Sequence, residues 1–150
     1  AELHKIDDAY YKAFPGVKGY HQYCYDRAAA SSNTANLFNV RYYNVSGHKL
    51  INMLIQGSAA YYLKIKERQI YDYCKTHNVY SKWQMQVHDE LFWEYDDRDD
   101  PSIILKFKEI MEDWDDTLVP LIAEVDMSTT TWDAKKGVNG LDEIRLRLST

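Results

Sequence analysis

The sequence predicts an α+β fold, in which an antiparallel sheet carries a β-hairpin tipped by carboxylates and packs against helices on one side. Three observations predict it. Lys49 to Lys75, the longest helical candidate, contains no proline and repeats Ile51, Ile55, Tyr62, Ile65 and Tyr73 near one face. Two short alternating runs, Trp83 to Val87 and Leu91 to Tyr95, flank His88, Asp89 and Glu90. Helical runs also stand apart from the strand meander, where a βαβ fold would interleave them. With 150 residues, 45% hydrophobic and 27% charged, the chain has enough apolar material for one core and is not a disordered tail.

The elements follow from local chemistry. Leu3, Ile6, Tyr10, Ala13 and Phe14 recur at helical spacing until Phe14-Pro15-Gly16 removes a donor and interrupts the helix. A second helix runs from Val17 to about Ala30 and ends at Ser31-Ser32-Asn33. Leu37 to Val45 reads as one extended strand, with Phe38, Val40 and Tyr42 on one side and Ser46-Gly47 closing it. In the long helix, Gly57-Ser58-Ala59-Ala60 lowers helix propensity but admits a close neighbour. Asp100 before Pro101 supplies an N-cap and an N1 proline for a helix striped by Ile103, Ile104, Phe107, Ile110, Met111 and Trp114. Leu121, Ala123, Val125 and Met127 alternate with Ile122, Glu124 and Asp126, which predicts a last strand.

Charge is unevenly placed. The net charge of -5 combines seven bases against two acids over residues 41–82 with fifteen acids against three bases over residues 83–133. A basic middle suits a polyanion, and the acidic block suits cations or plain solvation. Cys24 and Cys74 are too few and too far apart for a disulfide framework, so the expected compartment is reducing and cytoplasmic. Neither a membrane span nor a secretory signal is expected, because the apolar run Leu50 to Leu63 is broken by Asn52, Gln56, Gly57 and Ser58. There is no glycine-rich dinucleotide or P-loop motif and no nucleophile elbow.

Two constellations can carry chemistry. Asp89 and Glu90, at a hairpin tip held by two strands, are hard oxygen ligands of the kind Mg²⁺ accepts, with substrate phosphates completing its shell. His48, Asn52 and Gln56 fall at i, i+4 and i+8 of the long helix, a stripe able to read the minor-groove acceptors common to all base pairs. Arg41, Tyr42 and Tyr43 add a basic and aromatic group suited to stacking. Each has a plain alternative: a solvated tip, a water-facing stripe, and core tyrosines with wet hydroxyls. The crowded Asp96, Asp97, Asp99 and Asp100 lack the glycine and distal glutamate of a calcium loop and read as solvated.

The strings carry a resemblance. Gln84-Met85-Gln86-Val87-His88-Asp89-Glu90-Leu91 resembles the motif C hairpin of family A DNA polymerases, the group of bacterial DNA polymerase I and many tailed-phage replicases. His48-Lys49-Leu50-Ile51-Asn52-Met53-Leu54-Ile55-Gln56-Gly57-Ser58-Ala59-Ala60 resembles the helix that precedes it. Phe14-Pro15-Gly16-Val17, and Val119-Pro120-Leu121 through Trp132, resemble two further segments in the same order.

The resemblance implies a C-terminal palm and fingers portion over residues 1–137, followed by a tail, 138–150. It implies a nucleotidyltransferase in which Asp89 and Glu90 serve a two-metal Mg²⁺ site completed by an upstream aspartate. His88 would lie by the primer terminus, Asn52 and Gln56 in the minor groove, and His48 where bacterial members place arginine, a phage-type departure. Primer-template DNA, dNTP and the rest of the polymerase, with motifs A and B, are the implied partners, and no membrane. Neither motif A nor motif B is in this sequence, so the chain is expected to be inactive alone. The rival readings are a non-catalytic DNA-binding or scaffolding module retaining the palm fold, and a small metal-dependent hydrolase using Asp89 and Glu90.

Overall fold

In order, the elements are α1 (Glu2–Ala13), α2 (Pro15–Ala29), β1 (Thr34–Ala35), β2 (Arg41–Tyr42), α3 (Gly47–His77), β3 (Lys82–Val87) and β4 (Glu90–Glu94). There follow α4 (Ser102–Glu112), β5 (Asp126–Met127), a 3-10 turn (Trp132–Ala134), β6 (Lys136–Gly137) and α5 (Leu141–Leu148). This computed structural model describes residues 2–30, 34–114 and 118–149, with the backbone alone for residues 2–4. The fold is α+β, and its strands form three two-stranded antiparallel ribbons, β1-β2, β3-β4 and β5-β6. The chain divides into two units, residues 1–62 and 63–150, and α3 runs through the division. No described helix is long and apolar enough to cross a membrane.

In the first unit, α1 and α2 separate at Phe14, whose φ of -127 and ψ of 69 take it out of the helix, and Pro15 opens α2. The expected end of α2 at Ser31-Ser32-Asn33 lies outside the described residues, and the helix ends with Ala30 as its C-cap. The single strand predicted over Leu37 to Val45 is instead the return limb of a hairpin. The buried Asn36 turns the chain: its Oδ1 accepts from the amides of Phe38 and Val40, both at 3.0 Å, and Asn39 takes a positive φ of 60. Gly57 owes its lack of a side chain to this hairpin, because a Cβ there would lie 2.1 Å from the Tyr42 hydroxyl. Ser58, buried beside it, donates to the Leu54 carbonyl at 2.5 Å and accepts from the Leu37 amide at 3.3 Å.

The buried line of α3 differs from the predicted one. Ile55 is 58% exposed, and the buried positions are Gly47, Leu50, Ser58, Leu63, Lys66, Ile70 and Cys74. The sequence pattern is ambiguous here because tyrosines and isoleucines occur on both sides of the helix. In the second unit, Ile70 and Cys74 pack with Ile103 and Phe107 of α4, and Leu91 and Trp93 of β4, with Tyr95 just after it, cover them. Burying a side chain such as Ile70 completely contributes about 1.5–3 kcal/mol. Lys66 reaches the Asp113 carbonyl at the end of α4, where a cation meets orphan carbonyls, and desolvation holds its pKa below the ordinary lysine value.

The predicted N-cap shifts by one residue: Pro101 is the N-cap of α4 and not its N1 residue, and Asp100, one position before it, still accepts from the Ser102 amide through Oδ1 at 2.8 Å. The predicted strand from Leu121 shortens to Asp126–Met127. Upstream of it, side chains of α4 replace a partner strand: Glu112 accepts from the Ala123 amide at 2.9 Å, and Lys108 donates to the Ala123 carbonyl. The tail after Gly137 holds α5, anchored by the fully buried Ile144.

Candidate functional site

Strands β3 and β4 pair from Lys82↔Glu94 to Val87↔Glu90, with a bulge between Trp83 and Met85 that leaves Gln84 out of the ladder. The tip is therefore two residues, His88 and Asp89, and Glu90 is already the first residue of β4. A two-residue turn needs positive φ, which the usual asparagine or glycine provides; here His88 adopts a φ of 54. That conformation costs a residue with a Cβ about 1–3 kcal/mol. The Gln86 amide supports it by donating to the His88 carbonyl at 2.9 Å.

The turn leaves His88 and Asp89 exposed. Among the described residues the Asp89 carboxylate meets no hydrogen-bond or ionic partner, whereas Glu90 is half-buried in an ion pair with Lys135. An exposed carboxylate on a turn fixed by its ladder is a hard oxygen ligand held in place. The described residues contain no group of three or more His, Cys, Asp or Glu able to hold a metal.

Sequence reasoning missed Lys135. It lies 45 residues from Glu90, and no spacing rule joins them. Its Nζ also stands 5.3 Å from the centroid of the Trp132 ring, which in turn lies 6.2 Å from the Phe92 ring of β4. Trp132, one end of the resembling segment, was the only signal in its neighbourhood.

The stripe lies in the first unit, in the N-terminal part of α3. His48, Asn52 and Gln56 are all exposed on successive turns, and none bonds to another described residue. Leu50, on another side of the helix, is buried, so the polar groups are free of duties in the core. Arg41 is exposed on β2, and Tyr43 is 58% exposed. Tyr42 is half-buried, and its hydroxyl is engaged by the fold: it sits over Gly57 and accepts from the Asn36 side-chain amide at 3.4 Å. The acidic loop is occupied by structure, since Asp96 pairs with Arg98, Asp99 accepts from the Tyr80 and Ser81 amides, and Asp100 from the Ser102 amide.

Comparison with known proteins agrees with these strings. Residues 1–134 match DNA polymerase family A. DNA polymerase I of Streptococcus pneumoniae is 31% identical over 140 residues, covering 85% of this chain and 16% of that protein. DNA polymerase I of Caldicellulosiruptor bescii is 31% identical over 148 residues, covering 89% of this chain and 17% of that protein. Among solved structures, the chain resembles the POL domain of Pol1 from M. smegmatis, in complex with DNA primer-template and dNTP. The TM-score is 0.67 at 25% identity, over 74% of this chain and 22% of that one. The chain spans about a sixth of the length of the curated relatives it matches.

Proposed function

Because this chain belongs to DNA polymerase family A, we propose that it is the C-terminal palm and fingers portion of a DNA-directed DNA polymerase. In this reading residues 1–137 are the polymerase portion and 138–150 a tail. The observation that carries the reading is Asp89: an exposed carboxylate without a fold partner, on a rigid two-residue turn inside the matched span. Its hard oxygens fit Mg²⁺ as one ligand of a site whose other carboxylate comes from outside this chain. When bound, such ions would supply charge that activates the primer 3′ hydroxyl and stabilises the leaving pyrophosphate.

The chain's own residues then have separate tasks. Asp89 holds charge at the reacting end, and Glu90, tied to Lys135, stands beside it as an auxiliary carboxylate. His88 is aimed outward by its left-handed backbone and lies by the primer terminus. Asn52 and Gln56 donate to purine N3 and pyrimidine O2, acceptors present in every correct pair, so they test pairing geometry and not sequence. His48, on the same helix stripe, and the exposed Arg41 of β2 add contacts to the DNA. His48, where the resemblance puts arginine in bacterial members, supports a phage-type lineage. The partners are primer-template DNA, dNTP and the portion bearing motifs A and B.

The test is reconstitution. Mixed with a fragment bearing motifs A and B, the chain should extend a primer in a Mg²⁺-dependent manner, and alone it should not. Robust extension by the chain alone, in preparations free of host polymerase, would refute the half-site. Mg²⁺-independent duplex binding with no extension in the mixture would favour the non-catalytic DNA-binding module.

A further inference from the structure

We infer that Lys135 is a built-in counter-ion of the hairpin carboxylates, which holds Glu90, leaves Asp89 as the tip's available ligand and weakens divalent-cation binding there. This rests on the reading of Asp89 as a metal ligand. Adjacent carboxylates at a tip present two negative charges, and a bound ammonium cancels one of them at its source. A dication approaching Asp89 then meets a repelling charge where a second ligand would otherwise stand.

A surface lysine gives such an effect only if it is held, since a mobile side chain spreads its charge into solvent. Lys135 is held on both sides. Its own side chain is 29% exposed, and its ammonium pairs with the Glu90 carboxylate and stands 5.3 Å from the centroid of the Trp132 ring. Trp132 rests against Phe92 of β4, the strand that Glu90 opens. On the C-terminal side the chain enters β6 at once, with Met127↔Lys136 and Asp126↔Gly137 paired, and the Val138 amide donates to the Val125 carbonyl at 2.8 Å.

Helix α5 completes the support. Arg147 donates to the Met127 carbonyl at 3.4 Å and to the Gly137 carbonyl at 3.3 Å, bracing both strands of the ribbon that begins immediately after Lys135. Val138 and Ile144 are buried, so the ribbon and helix pack as a piece. Lys135 and all of this bracing from β6 onward lie just past the matched residues, which gives the tail a task at the hairpin.

The inference is tested by Mn²⁺ titration of the chain, with free Mn²⁺ read by electron paramagnetic resonance and folding by circular dichroism. Lys135→Met should bind Mn²⁺ about five-fold more tightly than the parent, and Lys135→Arg, which restores the charge, should bind within about two-fold of it. Glu90→Gln approaches from the other side: it leaves Lys135 unpaired near Asp89 and should weaken binding at least three-fold, by the same charge argument on about the same scale. Equal affinity in native-like Lys135→Met, or in Glu90→Gln should the lysine variant not fold, would overturn the inference. In Lys135→Met/Asp89→Asn the gain should vanish. A gain that survives there would leave Lys135 its role and refute Asp89 as the ligand.

Discussion

The loop after β4 and the turn of the β3-β4 hairpin both carry carboxylates and belong to the same unit, yet the fold uses those of the loop and leaves Asp89 of the turn without a partner among the described residues. Asp96 takes a bidentate grip from Arg98, at 2.8 and 2.6 Å, and the guanidinium lies 4.0 Å from the centroid of the Tyr80 ring. Asp99 joins the Tyr80 and Ser81 amides at 2.9 and 2.6 Å and so ties the entry of β3 to the loop. Asp100 starts α4. Asp89 does nothing comparable among the described residues, and the backbone beneath it is in the left-handed conformation at His88. A carboxylate that stabilises nothing internally, on a strained and well-braced turn, is the one to assign to chemistry.

The largest expected effect breaks this comparison if it fails. Asp89→Asn in the reconstituted polymerase should reduce single-turnover incorporation by about a thousand-fold or more, while primer-template affinity stays within a few fold. The thermal midpoint of the chain should stay where it was, because no partner is lost. Incorporation at the parent's rate would return Asp89 to the class of solvated tips.

Asp99→Asn is the opposite experiment. It weakens the acceptor of two backbone amides and should destabilise the chain by about 1–3 kcal/mol, measured by urea unfolding. Burial pushes the Asp99 carboxyl up, but the hydrogen bonds from Tyr80 and Ser81 bring it, on balance, below the usual carboxylate value. Its contribution is therefore complete above about pH 4 and is lost as pH falls through the lower native value. The variant should lack that part of the acid limb. At permissive temperature its incorporation in the reconstituted enzyme should approach the parent's.

How much of this contrast is legible in the sequence depends on the range of the interactions. Helix α4 could be read directly, its cap to within one residue, because capping and 3.6-residue periodicity are local. So could the hairpin, although alternation does not reveal the bulge at Gln84 or that Glu90 belongs to a strand. Alternation over Leu121 to Met127 does persist as alternating burial, but only Asp126–Met127 pair as a strand, and Ala123 bonds to α4 side chains where a ladder was predicted. The β1-β2 turn depends on where the Asn36 side chain goes, and Lys135 reaches Glu90 from a distant segment. For the site, the residue types and their strings could be read; which of two adjacent carboxylates is neutralised could not.

A smaller effect sharpens the comparison from the DNA side. Asn52→Ala and Gln56→Ala remove exposed amides that bond to no described residue, so each should leave unfolding unchanged within about 0.5 kcal/mol. In the reconstituted polymerase each should slow extension of matched termini a few fold and narrow the gap between matched and mismatched termini, since a lost minor-groove hydrogen bond penalises only the correct geometry. Unfolding of either variant, or discrimination like the parent's, would make the stripe a water-facing surface.

The smallest effect asks whether the loop carboxylates are felt inside the core. Burial, and next the negative charge of Asp99, push the Cys74 thiol up from 9.0 to about 11. The native chain therefore keeps this proton while the unfolded chain loses it, so stability should fall between pH 9 and 11 and change no further above that on account of this group. Cys74→Ala should flatten that alkaline limb. Asp99→Asn removes the second cause and leaves the first, so the Cys74 ionisation, followed by the pH dependence of thiolate absorbance, should move down by less than about one pH unit. A larger shift would mean that the variant has opened the core between α3 and α4, and Asp99 would then hold the fold through more than its two amides. No shift would confine the loop's influence to the surface and leave burial as the whole cause.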